Sequence, residues 1–400
     1  MQNKSPALLP PGLQDLLPPE SDREAFLVQK IANIFRSFGY RYVKPPLMEF
    51  ESSFLASAMG YALSNQTFRL MDPESHEMMA LRADITPQIV RLAQSRMPNS
   101  PRPLRLYYAA DSLRVKAGQI RTARQFTQIG CECIGLDDVE VDLEICILAL
   151  KSLNVIGLKE ITLDLNLPSL IPSILAKYQI SGTDEDRLLK ALHHKDRAFI
   201  EARKGKEKHT LLAILDAAGP IETGLARLRK LSDIPESERK RLDYLESLWT
   251  KIKKTLENYD AGDVTITLDC ADNRGFDYHS GFAFTLFSPQ IQGEIGRGGR
   301  YRARFDINNE PQSASGSEHS EKACGFSLYT DNLRQIIRRA GRPKRLALPV
   351  DISWKDVQEY QEQGWVVIRQ IDTTLDNVKL LKMGVTHKLE DGKIIELERS

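Results

Sequence analysis

The chain has 400 residues, with 55 lysines and arginines against 54 aspartates and glutamates, and 42% of its residues are hydrophobic. That length supplies two or three domains and a sizeable core. A near-neutral chain with 27% charged residues is neither a disordered tail nor a histone-like polycation, so any nucleic-acid contact has to be a local patch.

The longest apolar runs, such as residues 145–150, fall far short of the roughly 20 residues that cross a bilayer. Residues 1–14 hold one lysine, several prolines and no apolar run of signal-peptide length, and the expected location is the cytoplasm. Five cysteines, Cys131, Cys133, Cys146, Cys270 and Cys324, form an odd count without C-x-x-C spacing. Buried thiols are expected, with no disulfide and no metal. Cys131 and Cys133 would share one side of a strand, which lacks the tetrahedral set that zinc needs.

Residues 21–38 carry Phe26, Leu27, Ile31, Ile34 and Phe35 at helical spacing, with Gly39 as the stop. Residues 40–50 read as extended, and Pro45-Pro46 suits an edge or interface strand. Residues 68–71 and 78–81 predict two short strands about an Asp72-Pro73 turn. Thr86-Pro87 reads as N-cap and first residue of a helix, leaving Asp84 and Thr86 just outside its mouth.

Residues 104–108 and 125–134 are β-rich, and the basic stretch 114–124 reads as the long loop of an antiparallel hairpin. A helix is predicted over 137–153. Residues 158–260 read as a strand followed by a mostly helical insertion, with helical signals at 183–203, 225–230 and 237–258. Strands return at 264–268 and 282–287; residues 308–322 are polar and read as a mobile loop, and 331–339 as helix. After the linker at Pro343, residues 343–400 predict a small α/β segment of β-α-β-α order. Hairpins predominate, so the fold class is α+β, an antiparallel sheet flanked by helices, with core parts at 1–157 and 261–342.

Three groups of residues offer chemistry. Arg114, Lys116, Arg121 and Arg124 on the hairpin suit phosphate or carboxylate oxygens, or form a solvated turn. Gln128, Gly130 and Glu132 share one strand face, and a glutamate pointing into a sheet is costly unless paired, either with a ligand or with a core Arg or Lys. Residues 296–301, Gly-Arg-Gly-Gly-Arg-Tyr, lack the ending of a Walker loop and read as a tight bend or a place of close backbone approach. Tyr278-His279 is either an acid/base pair or a packing pair.

Together these pieces resemble the class II histidyl-tRNA synthetases across roughly residues 9–339. Pro10-Pro-Gly-Leu-Gln-Asp15 is similar to the family's opening; residues 39–49, with Pro46, resemble motif 1, which in that family forms the dimer interface; residues 114–132 resemble motif 2 and its strand. Arg274-Gly-Phe-Asp-Tyr278 and Gly298-Gly-Arg-Tyr301 resemble the two histidyl-specific motifs. By that resemblance Asp84, Thr86 and Gln128 would hold an α-ammonium, Arg274 a carboxylate, and Glu132 with Tyr278 and His279 an imidazole, with Arg114 retained beside them.

The departures bear on the nucleotide. Lys116 and Ala117 stand where motif 2 of the synthetases has glutamate and arginine, and Tyr329 and Asn332 stand where motif 3 has glycine and arginine. Loss of a charge-assisted contact costs about 1.5–3 kcal/mol, and a tyrosine in nucleotide space adds a clash. With a tail shorter than a full anticodon-binding domain, this pattern resembles the family of ATP phosphoribosyltransferase regulatory subunits. The resemblance implies a non-catalytic chain that joins a short catalytic subunit in a hetero-octamer, activates it, and passes on feedback by histidine as an allosteric ligand, with no cofactor and no tRNA role. The alternative is a divergent histidyl-tRNA synthetase. The arginine-rich stretch 297–304 is a candidate partner surface.

Overall fold

A computed structural model describes residues 8–116, 123–272, 279–305, 320–336 and 344–397. The first helix, Glu20–Ser37, places Glu20 and Asp22 in its first turn and Arg36 in its last, charges that oppose the helix dipole. Leu27, Ile31 and Phe35, at i, i+4 and i+8, are fully buried. Each such side chain contributes roughly 1.5–3 kcal/mol by leaving water. Phe26 belongs to the expected stripe but sits one residue off that row and stays exposed. Gly39 ends the helix at φ +81°.

Nine strands among the described residues make the main sheet: β1 (Arg41–Tyr42), β2 (Leu104–Leu113), β3 (Gln125–Ile134), β4 (Ile161–Asn166), β5 (Gly219–Pro220), β6 (Val264–Leu268), β7 (His279–Ser288), β8 (Ile291–Ala303) and β9 (Glu321–Tyr329). Their order is β1-β2-β3-β9-β8-β7-β4-β6-β5. The run from β2 to β4 is antiparallel throughout, and parallel pairs occur at β1–β2 and β4–β6. The class is α+β, as expected: the antiparallel run is flanked by helices, and the parallel pairs lie toward the two ends of the sheet. Residues 158–260 supply β4 and β5 as well as helices, the longest of them Glu236–Leu256.

Period two divides β3 between the two faces of the sheet. Ile129, Cys131 and Cys133 join a large core with Leu27, Ile31 and Phe35 and with Ile145, Leu148 and Leu153 of the helix Val139–Val155. On the opposite face Leu104, Leu106, Tyr108 and Ile134 pack with Ile85, Ile89 and Val90 at the start of the helix Thr86–Ser95. All five cysteines are buried and unpaired.

The glycine-rich stretch read as a bend is the 13-residue strand β8. Its glycines permit close packing between strands: a Cβ on Gly298 would fall 2.5 Å from both the Gly325 carbonyl oxygen and Phe326 Cβ. Arg300 is buried and holds the fold internally, its Nε 3.0 Å from Asp142 Oδ2 and its Nη1 2.9 Å from Asp137 Oδ1. It is therefore absent from the surface that the stretch 297–304 was expected to present, where Arg302 is exposed.

A three-stranded sheet, Met48–Phe50, Met78–Leu81 and Arg69–Met71, stands beside the main one. Its turn is set by Asp72, whose carboxylate accepts from the Glu74 and Ser75 amides. The short helix Thr330–Leu333 begins the predicted 331–339 helix, and residues 337–343 lie outside the described residues. So do 308–319 of the predicted loop 308–322, while Glu321 already belongs to β9.

The chain divides into two units, Met1–Arg338 and Arg339–Ser400. The second has the expected strand Arg345–Pro349, helix Trp354–Glu362, strand Val366–Gln370 and helix Asn377–Lys382, and adds the hairpin His387–Glu390 and Lys393–Glu396. The hairpin turns on Asp391-Gly392, both at positive φ. No helix among the described residues is long and apolar enough to cross a membrane.

Candidate functional site

Pairing across the main sheet sets Glu132 opposite Gly325, Gly325 opposite Gly299, and Gly299 opposite Ala283. Paired residues share a face, so Glu132 overlooks a floor of hydrogens and one methyl group. A Cβ on Gly325 would fall 1.7 Å from Glu132 Oε2. A small cleft opens over this floor, bordered by Asp84, Thr86, Glu132, His279, Arg297, Tyr301, Ser327 and Tyr329.

Glu132 is 1% exposed. Tyr301 donates its hydroxyl to Oε2 at 2.8 Å, and Thr86 and Tyr108 donate to Oε1 at 3.1 and 3.2 Å. Of the two expected situations, no core Arg or Lys partner occurs among the described residues: the three partners are neutral hydroxyls. Burial pushes the Glu132 carboxyl up to about 8; the Tyr301 and Thr86 hydroxyls pull against it, the Asp84 charge adds to it, and the Tyr108 hydroxyl opposes it. Burial thus favours the protonated form of a group that faces the cleft.

Asp84 is held from behind. Its Oδ1 accepts from Gln128 Nε2 at 3.0 Å and from the Thr86 amide at 2.9 Å, while no hydrogen bond reaches Oδ2 among the described residues. Asp84 thereby satisfies the first amide of the helix Thr86–Ser95, whose N-cap position is Ile85, while Thr86 lies within the first turn and spends its hydroxyl on Glu132. Gln128 is completely buried; its amide also donates to Ser327 Oγ at 2.7 Å, and its carbonyl accepts from the Ile85 amide and Ser112 Oγ, both at 3.1 Å. Every atom of that amide is engaged in positioning Asp84, Ser327 and the helix entry.

Arg114 stacks 4.9 Å from the Phe126 ring and 6.0 Å from that of Tyr329. Tyr329 is itself buried edge-on to Phe126, with ring centroids 5.7 Å apart. His279 borders the cleft and pairs with Tyr301 in the ladder. Arg274 and Tyr278 lie outside the described residues, as does Ala117. Lys116 is exposed, and Asn332 donates to the Glu294 carbonyl at 3.4 Å. Pro46 sits apart from the cleft, its carbonyl accepting from Gln88 Nε2 at 2.9 Å and from Arg82 Nη1 at 3.2 Å.

Sequence reasoning gave no role to Tyr108 or Ser327, placed Arg297 only in a candidate partner surface, and had Tyr301 only as the end of a motif. The signal for Ser327 was available: from Gly325, period two carries Ser327 and Tyr329 onto the face shared by Glu132, Gly130 and Gln128. Tyr108 depends on the long-range pairing of β2 with β3.

A family model described as histidyl-tRNA synthetase matches residues 12–333. An ATP phosphoribosyltransferase regulatory subunit from Paramagnetospirillum magneticum is 41% identical over 98% of each chain, and one from Rhodospirillum centenum is 38% identical over 98% of this chain and 97% of its own. Among solved structures, an ATP phosphoribosyltransferase regulatory subunit/histidyl-tRNA synthetase from Bacillus halodurans aligns with TM-score 0.79 at 20% identity, covering 97% of this chain and 99% of the other. Histidyl-tRNA synthetase from Nostoc sp. PCC 7120 aligns with TM-score 0.76 at 18% identity, over 97% and 92%. Both structural likenesses concern the fold. By its relatives and its matching core, the chain belongs to the family of ATP phosphoribosyltransferase regulatory subunits, built on a histidyl-tRNA synthetase-like domain.

Proposed function

We propose that this chain is the non-catalytic regulatory subunit of an ATP phosphoribosyltransferase: it activates a short catalytic subunit in the first step of histidine biosynthesis, in the cytoplasm, and carries feedback by histidine. The observation that carries the ligand assignment is Glu132, a buried carboxyl group served by three hydroxyls and by no Lys or Arg among the described residues. An imidazole that takes the Glu132 proton leaves a carboxylate–imidazolium pair, and the open Oδ2 of Asp84 suits an α-ammonium. Feedback then requires that bound histidine favour one assembly state over another, since only differential affinity shifts an equilibrium.

In this reading the chain forms no histidyl-adenylate. Tyr329 and Phe126 fill the space beside Arg114, and Lys116 and Asn332 offer neither the carboxylate nor the guanidinium of the synthetase motifs. The hetero-octamer is built on homodimers. The exposed apolar side chains Met48, Phe50, Leu70, Met71 and Met78 of the small sheet support a self-association surface next to Pro46. Formation of phosphoribosyl-ATP by a short catalytic subunit, with and without this chain and then with histidine, tests the proposal.

A further inference from the structure

We propose that Arg82 and Gln88 brace the Pro45-Pro46 segment against the entrance of the helix Thr86–Ser95, so that a ligand held at Asp84 acts on the small sheet and on the surface it offers to a second copy. This deepens the histidine reading above by naming a route for its regulation, and rests on that reading. Residues 82–88 serve two places at once. Asp84 and Thr86 border the cleft, while Arg82 and Gln88, 4% and 0% exposed, turn to the segment that leads into strand Met48–Phe50.

Proline has a carbonyl but no N–H, and buried carbonyls need partners. Here side chains supply them. Gln88 Nε2 donates to the Pro46 carbonyl at 2.9 Å; Arg82 Nη1 donates to the Pro45 and Pro46 carbonyls at 3.1 and 3.2 Å and to Gln88 Oε1 at 3.4 Å. Arg82 Nε donates to the Asp111 carbonyl of β2 at 2.6 Å, and the Arg82 amide to the Leu47 carbonyl at 3.2 Å. Arg82 thus ties the main sheet, the proline segment and the helix entrance to one another.

One turn further along the helix, Arg91 pairs with Glu49 of strand Met48–Phe50 at 2.7 Å, the side chains 15% and 9% exposed. Gln88 and Arg91 are three residues apart and share a helix face. Burial raises the Glu49 carboxyl, and Arg91 and then Gln88 pull against it. Buried polar contacts are costly to leave unmade, so a shift of the helix entrance carries residues 45–50 with it. Met48 and Phe50 on that strand are exposed and belong to the self-association surface. The coupling runs both ways: a second copy seated on that surface alters the hold on Asp84 by the same factor.

Amide hydrogen exchange on the full chain, with and without saturating L-histidine, tests this. Histidine is expected to slow exchange at residues 48–50 by about fivefold or more in the unaltered chain and by less than about twofold in Gln88→Met, with calorimetric histidine affinity within about threefold. A merely structural role for Gln88 would speed exchange with and without histidine and leave the histidine effect intact, and that result overturns the brace. So does an unaltered chain that binds histidine without slowing residues 48–50, and so does a folded Gln88→Met that no longer binds histidine, which would place Gln88 in the cleft itself. If Gln88→Met does not fold, Glu49→Met with Arg91→Met decides by the same criteria, since exchange of a buried ion pair for apolar side chains is often tolerated. An unaltered chain that binds no histidine defeats the histidine reading itself, whereas the other results defeat this inference only.

Discussion

The Tyr301 hydroxyl donates to Glu132 Oε2 at 2.8 Å, closing one side of a carboxyl group that has no Lys or Arg partner among the described residues. The pair spans three strands, from β3 across β9 to β8, so the polar pocket and the sheet core are one construction. Glu132→Ala removes the acceptor without disturbing a countercharge and is expected to abolish measurable histidine binding in a folded protein. Tyr301→Phe removes one hydrogen bond to a charged group, worth about 1.5 kcal/mol or more, and is expected to weaken histidine about tenfold. Unchanged calorimetric affinity in either folded variant contradicts the imidazole assignment.

The pH dependence has a definite sign. In the free protein Glu132 keeps its proton up to about pH 8, whereas a free imidazole titrates near ~6.5. Between those limits the complex contains the same single proton as the separated partners. Below them binding releases a proton, and above them it takes one up. Histidine affinity is therefore expected to peak between ~6.5 and ~8 and to fall by up to about tenfold per pH unit outside. Calorimetry in buffers of different ionisation enthalpy measures the protons exchanged; an affinity that stays flat to pH 9 contradicts this. The same raised carboxyl favours the folded free protein at low pH, and that contribution is lost as pH rises toward about 8. Glu132→Gln should remove this slope from urea-unfolding curves.

Arg300 and Asp142 are 5% and 0% exposed and hydrogen-bond to each other on the sheet face opposite the cleft. Arg300→Met leaves Asp142 buried with a hydroxyl partner, Tyr244, and no cation, and is expected to cost about 3–5 kcal/mol in urea unfolding. Histidine affinity of the folded variant should not change. A cost below about 1 kcal/mol would show that Asp142 reaches water or carries a proton.

The apolar side chains of the small sheet give a test of assembly. Leu70→Asp with Met71→Asp places two charges on strand Arg69–Met71, whose residues are all exposed. Fold stability should change little, while sedimentation should shift the chain from dimer toward monomer. A double variant that sediments as the unaltered chain does moves the interface elsewhere.

Much of the site was legible because it follows short-range rules. Period two placed Gln128 and Glu132 on one face of β3 and sent Cys131 and Cys133 to the other, and Gly39 marked the end of the first helix. What escaped depended on partners distant in sequence. The glycines of β8 looked like a bend because nothing local shows that Gly325 and Phe326 pack against them. Thr86 looked like an N-cap because Pro87 follows it, but its amide is bound by Asp84, two residues earlier, and its hydroxyl goes to Glu132, distant in sequence. The Asp391-Gly392 hairpin was different: its dipeptide is a strong local signal and it was passed over.

The most direct test of the regulatory assignment is phosphoribosyl-ATP formation by a short catalytic subunit from the same source. Addition of this chain is expected to raise the rate, and histidine to reverse the rise in the unaltered complex but not in one carrying Glu132→Ala. No activation by folded chain with a competent partner, accompanied by histidine-dependent ATP–pyrophosphate exchange, would contradict the assignment and establish a synthetase instead.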